Sequence, residues 1–536
     1  MADIKTEVAR RRTFAIISHP DAGKTTLTEK LLLYGGALQL AGSVTARKNQ
    51  SSSASDWMEL ERKRGISVSS TVLQFDYEGN RINLLDTPGH KDFSEDTYRV
   101  LTAVDAAVMI IDAGKGIEPQ TLKLFEVCRL RGIPILTFMN KLDREAKDLL
   151  SLIDELENTL QLHAFPVNWP MGMGQRFKGV YDRTTKEAHM FERTVRGAYK
   201  APVQVAGIAD PAVKDTLDAD SYHHFVEQID LLEAAGADFD RADALTGGTT
   251  PVFFGSAVNN FGVELLLKAL IAEAPPPGPR PSTAGLVEPT RDSFSGFVFK
   301  IQGNMDPRHR DRVAFVRVVS GKFTRDLTVA HSRTGKSYRL ANAHKIFGRD
   351  REIIEEAYAG DIIGLVGYSD FGIGDTLSED PKIVYDEIPR FAPECFARIS
   401  NPNPSKYKPF AKGLEQLLRE GVVRALIPRD AGDAKTTLLA AVGPLQFEVA
   451  QFRLQSEYGV DSRLEPMNWT LARWIGPATK PGAVDAVALP MQSARVKDEE
   501  GNEMILFPTP WSLQYLSEKH PEIELLRLPP SKSARA

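Results

Sequence analysis

Groups of residues in the first half of the chain have the types and spacing needed to bind and hydrolyse a nucleoside triphosphate. The first group is a loop between an apolar run and a helical pattern: Ser18, His19, Pro20, Asp21, Ala22, Gly23, Lys24, Thr25 and Thr26. Its spacing matches a phosphate-binding loop, except that Ser18 replaces the first glycine. Backbone N–H groups of such a loop cradle phosphates, Lys24 would reach the β- and γ-phosphates, and the Thr25 hydroxyl would bind Mg²⁺. An ordinary surface turn that caps a helix is the alternative for this loop alone.

The second group follows another apolar run and consists of Asp86, Thr87, Pro88, Gly89 and His90. An aspartate at a strand end can hold the Mg²⁺ shell, and the Gly89 N–H can bind the γ-phosphate and move when that phosphate leaves. We predict that His90 positions the attacking water, which makes His90 and Lys24 the candidate catalytic residues. A plain Asp-x-Pro-Gly turn is the alternative for this group alone. No arginine finger is readable, so a partner is expected to stimulate hydrolysis.

Two further groups are predicted to read a guanine base. They comprise Asn140, Lys141, Leu142 and Asp143, and then Ser256 and Ala257. The Asp143 carboxylate can accept two guanine N–H groups, which adenine lacks, and Asn140 can bond the base edge. Each group follows an apolar strand pattern, and ligands of open α/β sheets bind at the carboxyl ends of the strands. The order of the groups therefore predicts a GTP/GDP site, although loop capping would explain each group alone.

A polar stretch between the first two groups is predicted to be a nucleotide-dependent switch. Residues 50–63 are rich in serine and charged residues, show no helical or strand periodicity, and lead into Arg64, Gly65, Ile66 and Ser67. The Ser67 hydroxyl would complete the Mg²⁺ coordination when the γ-phosphate is present. The predicted metal ligands are therefore Thr25, Ser67 and Asp86. A polar surface loop is the alternative.

The elements around these groups predict three domains. Apolar runs at 14–17, 82–85, 106–111, 135–139 and 252–254 alternate with helical patterns at 26–34 and 263–274, which indicates βα units and a mainly parallel sheet. A proline-rich segment, 275–281, ends this α/β P-loop GTPase domain, predicted at 1–278 with an insert at about 162–248. Period-two segments at 296–301 and 312–319 predict an antiparallel β-barrel at 282–387, and mixed patterns predict an α+β domain at 388–536.

Composition narrows the class of protein. With 42% hydrophobic and 26% charged residues and no apolar run long enough to cross a bilayer, we expect a cytoplasmic protein without a signal peptide or membrane partner. A net charge of −5 argues against DNA or RNA coating through overall charge, so nucleic-acid contact must be local, for example at the basic segment 308–312. Cys128 and Cys395 have neither disulfide nor zinc spacing.

The motifs resemble those of the translational GTPases, in the forms of the phosphate loop, 64–67 and 86–90. Most members have threonine where this chain has Ser67, and many have another small residue at Ser18. Within that family the chain is most similar to the class II release factors, through segments 91–99, 134–144, 250–255, 297–301, 304–315 and 443–447. The resemblance implies a protein that binds the ribosome, dissociates the codon-reading class I release factors after peptide release without stop-codon specificity of its own, and leaves on GTP hydrolysis. We expect it to be a monomer.

Two alternative functions stay open from the residues. The span between Asp143 and Ser256 leaves room for an insert like that of elongation factor G, although the stretch after Phe391 is too short for the tRNA-mimicking domains of that factor. A GTPase subunit that regulates a metabolic enzyme, as in sulfate activation, is the other alternative. Ribosome-stimulated hydrolysis would distinguish the second alternative from a translational role.

Overall fold

The computed structural model describes residues 3–37, 69–192, 200, 203–234, 239–303, 312–347, 350–386, 388, 391–429 and 437–530. In these residues the chain forms an α/β domain with a central sheet, a curled antiparallel β domain and an α+β domain, which we term the first, second and third domains. The predicted fold class is confirmed. Within the described residues, no helix is both long and apolar enough to span a membrane.

The first domain is built on a mixed, mainly parallel sheet. Its strands are β1 (Arg11–Ser18), β2 (Thr71–Tyr77), β3 (Asn80–Asp86), β4 (Ala106–Asp112), β5 (Ile135–Asn140), β6 (His163–Pro166), β7 (Asn168–Met171), β8 (Gly179–Asp182), β9 (Glu187–Phe191), β10 (Val203–Gly207) and β11 (Thr249–Phe254). The central sheet has the order β2-β3-β1-β4-β5-β11-β6, and only the β2–β3 pair in it is antiparallel. The carboxyl ends of β1, β3, β4, β5 and β11 therefore meet along one edge.

Helices cover both faces of this sheet. They are α1 (Ile4–Ala9), α2 (Lys24–Tyr34), α3 (Ser94–Thr102), α4 (Pro119–Leu130), α5 (Leu149–Leu160), α6 (Pro211–Thr216), α7 (Ala219–Ala234), α8 (Arg241–Thr246) and α9 (Val263–Glu273). Along β1, Phe14 and Ile16 join one hydrophobic cluster, whereas Ala15 and Ile17 join the other. Because both faces of the sheet are buried, its strands are continuous apolar runs rather than alternating ones, which is why the sequence indicated them.

The inserted part of the first domain contains a second, smaller sheet. Its strands pair in the order β10-β9-β8-β7, and its helices include α6, α7 and α8. The strand that precedes it, β6, instead pairs with β11 at the end of the central sheet. The side chain of Trp169 is fully buried and packs edge-on against Phe254 of β11, with ring centroids 5.1 Å apart. The insert is thus packed against the domain that carries it.

The second domain is a curled antiparallel sheet. Its strands are β12 (Arg280–Ser282), β13 (Gly285–Val287), β14 (Ser295–Gly303), β15 (Arg312–Ser320), β16 (Lys322–Thr324), β17 (Leu327–His331), β18 (Ser337–Leu340), β19 (Ala343–Phe347), β20 (Asp350–Ile353), β21 (Glu356–Tyr358), β22 (Ile362–Val366) and β23 (Thr376–Ser378). The main sheet has the order β18-β17-β23-β14-β15-β22-β19-β20. Alternate residues such as Val298, Val316 and Ile363 fill its core, as the period-two pattern predicted.

The third domain combines an antiparallel sheet with helices. Its strands are β24 (Cys395–Ser400), β25 (Arg424–Pro428), β26 (Thr437–Ala441), β27 (Arg463–Pro466), β28 (Leu471–Ile475), β29 (Ala494–Lys497), β30 (Glu503–Phe507) and β31 (Leu525–Leu526), and its helices are α10 (Tyr407–Arg419), α11 (Pro444–Tyr458) and α12 (Pro510–Lys519). The sheet order is β27-β24-β26-β25-β29-β30-β28-β31. Helices α10 and α11 pack on one part of the sheet through Leu414, Leu417 and Leu454.

Buried polar contacts join the second domain to the first. The Arg317 guanidinium, 1% exposed, lies 2.6 Å from the Asp105 carboxylate and donates to the Ala103 carbonyl. Arg11 pairs with Asp361 at 2.8 Å. Because a buried charge left without its partner is costly, these pairs fix how the two domains sit against each other.

Candidate nucleotide-binding site

The turn between β1 and α2 has the backbone geometry of a tight phosphate-binding loop. Strand β1 ends at Ser18 and α2 begins at Lys24, two residues before the predicted start. Asp21 and Gly23 have positive φ values of 65° and 103°. A Cβ on Gly23 would lie 2.2 Å from Nδ2 of Asn140, so glycine is required there both by the backbone conformation and by close packing.

Lys24 and Asp86 form a buried ion pair at this end of the sheet. The Lys24 Nζ is 2.6 Å from Oδ1 of Asp86, and the side chains are 7% and 3% exposed. Phosphate oxygens are the natural second partner of a lysine at a helix N-terminus. The Asp86 carboxylate and the hydroxyl of Thr25, which lines the same cleft, are oxygen donors of the kind Mg²⁺ prefers. These donors therefore suit a Mg²⁺ ion whose coordination is completed by phosphates and water. Among the described residues, no group of three or more acidic, His or Cys side chains could hold a metal ion by itself.

Residues 86–93, which we call the switch turn, lie directly against the phosphate-binding loop. The Thr87 hydroxyl donates to the Ile16 carbonyl at 2.6 Å, and the Thr97 hydroxyl donates to the Pro88 carbonyl at 3.2 Å. A Cβ on Gly89 would lie 3.4 Å from the Pro20 backbone. The structure thus places the second predicted group beside the first, with Gly89 packed against the Pro20 backbone.

His90 lies at the mouth of the cleft with its side chain 30% exposed. Its Nδ1 accepts a hydrogen bond from the Asp92 backbone N–H at 3.3 Å. Because Nδ1 acts as the acceptor, a neutral imidazole carries its proton on Nε2. The ring therefore offers an Nε2–H donor, which can orient a water molecule.

Asn140 joins the loops at the carboxyl ends of three strands. Its Nδ2 donates to the Ala22 carbonyl at 2.8 Å, and its Oδ1 accepts from the Ala257 N–H at 2.9 Å. The side chain is 2% exposed. Its amide thus holds the phosphate-binding loop and the loop after β11 in place, a role that the sequence did not indicate.

Lys141 and Asp143 are held by partners from neighbouring strands. Lys141 adopts φ 72°, and its Nζ donates to Oδ2 of Asp112, at the end of β4, at 2.8 Å. The Asp143 carboxylate accepts from the Ser256 hydroxyl at 2.6 Å. Asp112 was missed from the sequence, although an acidic residue at the end of a fully buried strand is a usable signal.

A cavity of about 320 Å³ runs between these loops. Its predicted lining residues are Ser18, His19, Pro20, Asp21, Gly23, Lys24, Thr25, Thr26, Gly89, His90, Asn140, Lys141 and Asp143, and Arg144 and Val258 line it without having been predicted. The other predicted residues are buried and do not line the cavity: Ala22, Asp86, Thr87, Pro88, Leu142, Ser256 and Ala257. Ser67 and the segment 50–67 lie outside the described residues. The cavity therefore brings residues from distant parts of the chain together.

Family models match the three parts of the chain separately. Residues 9–276 match the "Elongation factor Tu GTP binding domain". Residues 293–380 match "Elongation factor G domain 2", and residues 385–517 match "Class II release factor RF3, C-terminal domain". The first match covers half of the chain and shows that the cleft belongs to a guanine-nucleotide-binding GTPase domain.

Curated relatives match nearly the whole chain. A peptide chain release factor 3 from Gloeobacter violaceus is 55% identical over 527 residues, which is 98% of this chain and 99% of the relative. One from Gloeothece citriformis is 54% identical, covering 98% and 97%. A crystal structure of a Thermus thermophilus protein superposes with a TM-score of 0.68 at 24% identity, covering 85% of this chain and 67% of that one, and so shares the fold. The chain therefore belongs to the peptide chain release factor 3 family and is a ribosome-interacting GTPase of translation termination.

Proposed function

We propose that this GTPase acts after peptide release and promotes dissociation of the codon-reading class I release factors from the ribosome. The observation that carries the proposal is the match of residues 385–517 to a class II release factor C-terminal domain, in a chain whose first domain is a GTPase domain. Identity of 55% across the chain argues against both alternatives, an elongation-factor-G-like translocase and a regulator of a metabolic enzyme. GTP hydrolysis would then end the cycle and release the protein.

Multiple-turnover GTP hydrolysis tests this function most directly. We expect little activity with the protein alone and stimulation by about 10³-fold or more with ribosomes that carry a class I release factor, since a partner that completes a GTPase site has effects of this size. A fluorescent class I factor should leave those ribosomes faster when the protein and GTP are added. Stimulated hydrolysis without faster departure would overturn the proposed step while leaving the GTPase activity intact.

Within the cleft we propose distinct roles for the predicted residues. Lys24 and the loop amides would bind phosphates. Thr25 and Asp86, together with Ser67 from outside the described residues, would hold Mg²⁺. Asp143 reads the guanine N–H groups, supported by the hydroxyl of Ser256 at 2.6 Å. When bound, Mg²⁺ would neutralise charge on the phosphates, and its proposed ligands rest on oxygen-donor chemistry.

His90 is proposed to orient the attacking water through Nε2–H, and Gly89 to sense the γ-phosphate. The acceptor role of Nδ1, observed in the contact with the Asp92 N–H, supports this assignment of the proton. Phosphoryl transfer depends on positioning more than on proton chemistry, so a held imidazole is a suitable group.

Three further assignments are proposals of the same kind. The domains would span 1–278, 282–387 and 388–536, with an insert at about 162–248, and the family matches at 9–276, 293–380 and 385–517 fall inside or close to these limits. The protein would act in the cytoplasm as a monomer. The basic segment 308–312, of which only Arg312 is described, is a candidate for local contact with ribosomal RNA.

A further inference from the structure

Asp92 contacts two domains at once. Asp92 lies in the switch turn, two residues after His90, and is 2% exposed. Its backbone N–H donates to Nδ1 of His90 at 3.3 Å. Its Oδ2 accepts a hydrogen bond of 2.9 Å from the backbone N–H of Leu445, in the first turn of α11 in the third domain. One buried residue therefore joins the proposed catalytic histidine, through its backbone N–H, to a helix that is distant in sequence, through its carboxylate.

The Asp92 carboxylate binds a backbone N–H in the first turn of α11. The first N–H groups of a helix have no partner within the helix, and the N-terminus favours negative charge. The Asp92 carboxylate satisfies one of these groups from another domain. Asp92 thus stabilises the docked position of the third domain as a cap would stabilise a helix.

Gly443 shows how closely the third domain approaches. A Cβ on Gly443 would lie 2.1 Å from Cγ of Asp92 and 2.5 Å from both of its carboxylate oxygens. The φ of Gly443 is −144° and its ψ is 159°, an extended conformation that any residue adopts. The backbone therefore does not require glycine at this position, whereas the approach of the Asp92 carboxylate does.

A second buried contact strengthens the same interface. Glu95, just after the switch turn, pairs with Arg424 of the third domain and with Arg99. Burial alone would raise the pKa of Glu95, but the two guanidinium groups together lower it. Phe93 packs with Val449 of α11. The third domain is thus fixed to the switch turn by polar and apolar contacts on either side of Asp92.

We propose that Asp92 is a positioning residue for GTP hydrolysis, which makes the orientation of His90 depend on docking of α11. The inference rests on the proposed role of His90. When the third domain is docked, Asp92 is held by the Leu445 N–H, and its own backbone N–H holds Nδ1 of His90.

Removing the carboxylate tests the link through its effect on the rate. Asp92→Ala should slow single-turnover hydrolysis on ribosomes by about 10- to 100-fold, the cost of misplacing a positioned group, while the Kd for GTP changes less than about twofold. In a His90→Ala background, Asp92→Ala should cause no further loss, because it acts through His90. A further loss of the same size in that background would overturn the proposal, since Asp92 would then act independently.

Crowding the carboxylate provides the complementary test. Gly443→Ala places a methyl group where the Asp92 carboxylate lies, and should also slow hydrolysis without weakening GTP binding. Gly278→Ala is the matched control, because a Cβ there meets nothing within 4 Å. In the Gly443→Ala/Asp92→Ala double variant the losses should not multiply. Independent, multiplying losses would contradict a shared contact.

The outcomes separate the two proposals. If His90→Ala leaves ribosome-stimulated hydrolysis unchanged, the role of His90 is wrong and the positioning role of Asp92 is wrong with it. If His90→Ala slows hydrolysis but Asp92→Ala does not, only the positioning role is wrong. Should Gly443→Ala unfold the third domain, as seen by circular dichroism, the Asp92→Ala pair of measurements still decides the matter.

Discussion

The ammonium group of Lys24 lies 2.6 Å from the carboxylate of Asp86, with both side chains more than nine-tenths buried. Each charge satisfies the other where β1 and β3 end side by side. In a nucleotide complex, phosphate oxygens would compensate the charge of Lys24, and Mg²⁺ would compensate the charge of Asp86. The pair thus keeps two buried charges compensated by each other.

Lys24→Ala should weaken GTP binding by at least about 100-fold, or about 2.7 kcal/mol. The variant loses the charged contact with the phosphates and leaves Asp86 buried without its lysine partner. Equilibrium titration with a fluorescent GTP analogue measures the change, with Lys123→Ala, on the exposed side of α4, as the control. An affinity equal to that of the control would contradict the phosphate assignment.

Asp143→Asn should shift preference from GTP to xanthosine triphosphate. The amide can no longer accept two guanine N–H groups, and we expect GTP affinity to fall by about 1–3 kcal/mol, the value of a bidentate base contact. Competition binding with both nucleotides measures the shift. Ser256→Ala, which removes only the supporting hydroxyl, should weaken GTP by about 1 kcal/mol and leave the base preference unchanged. A variant that still prefers guanine would show that Asp143 does not read the base.

His90→Ala should leave the Kd for GTP near normal and slow ribosome-stimulated hydrolysis by about 100-fold, because the water loses its positioning donor. Rapid-quench single-turnover assays on ribosomes measure this rate. Lys91→Ala, at an exposed neighbouring position, serves as the control. Unchanged hydrolysis would leave His90 with a structural role only.

Acid should loosen the contact between the third domain and the switch turn. The folded state lowers the pKa of Glu95 below its ordinary value of 4.5, so its ionised form stabilises docking above that value. This stability is lost as the pH falls through the lowered pKa. Melting temperatures measured from near-neutral pH downwards should fall more steeply for the natural protein than for Glu95→Gln, which lacks the carboxylate at every pH. Parallel curves would show that Glu95 contributes no linked stability.

Cys128 should be unreactive in the folded protein. It is fully buried in the first domain, and burial raises the pKa of its thiol to about 12. Because the thiolate is the reactive form, a thiol reagent near neutral pH should label Cys128 only after unfolding. Comparing labelling of the Cys395→Ser variant before and after denaturation isolates Cys128. Rapid labelling of the folded variant would contradict the buried position.

The central sheet could be predicted closely because burial on both faces produces apolar runs that are visible in the sequence. Strand β4, for example, extends over Ala106–Asp112, and its apolar run predicts 106–111. The boundaries of the insert were harder to predict from the sequence, because β6 pairs with β11 in the central sheet whereas β7 begins a separate sheet. Strand order in a sheet depends on long-range pairing, which local periodicity does not record.

The sequence by itself determined the local chemistry of the cleft: the glycine of the phosphate-binding loop, Gly23, a lysine at the start of a helix, and polar groups directly after buried strands. These features depend on neighbours in the chain, so their pattern is readable. Only the tertiary structure decided which distant residues meet, such as Asp143 with Ser256 and Asp92 with Leu445. Such contacts arise from strand order and domain packing, and a hydrogen bond across 353 positions leaves no trace in either residue's local pattern.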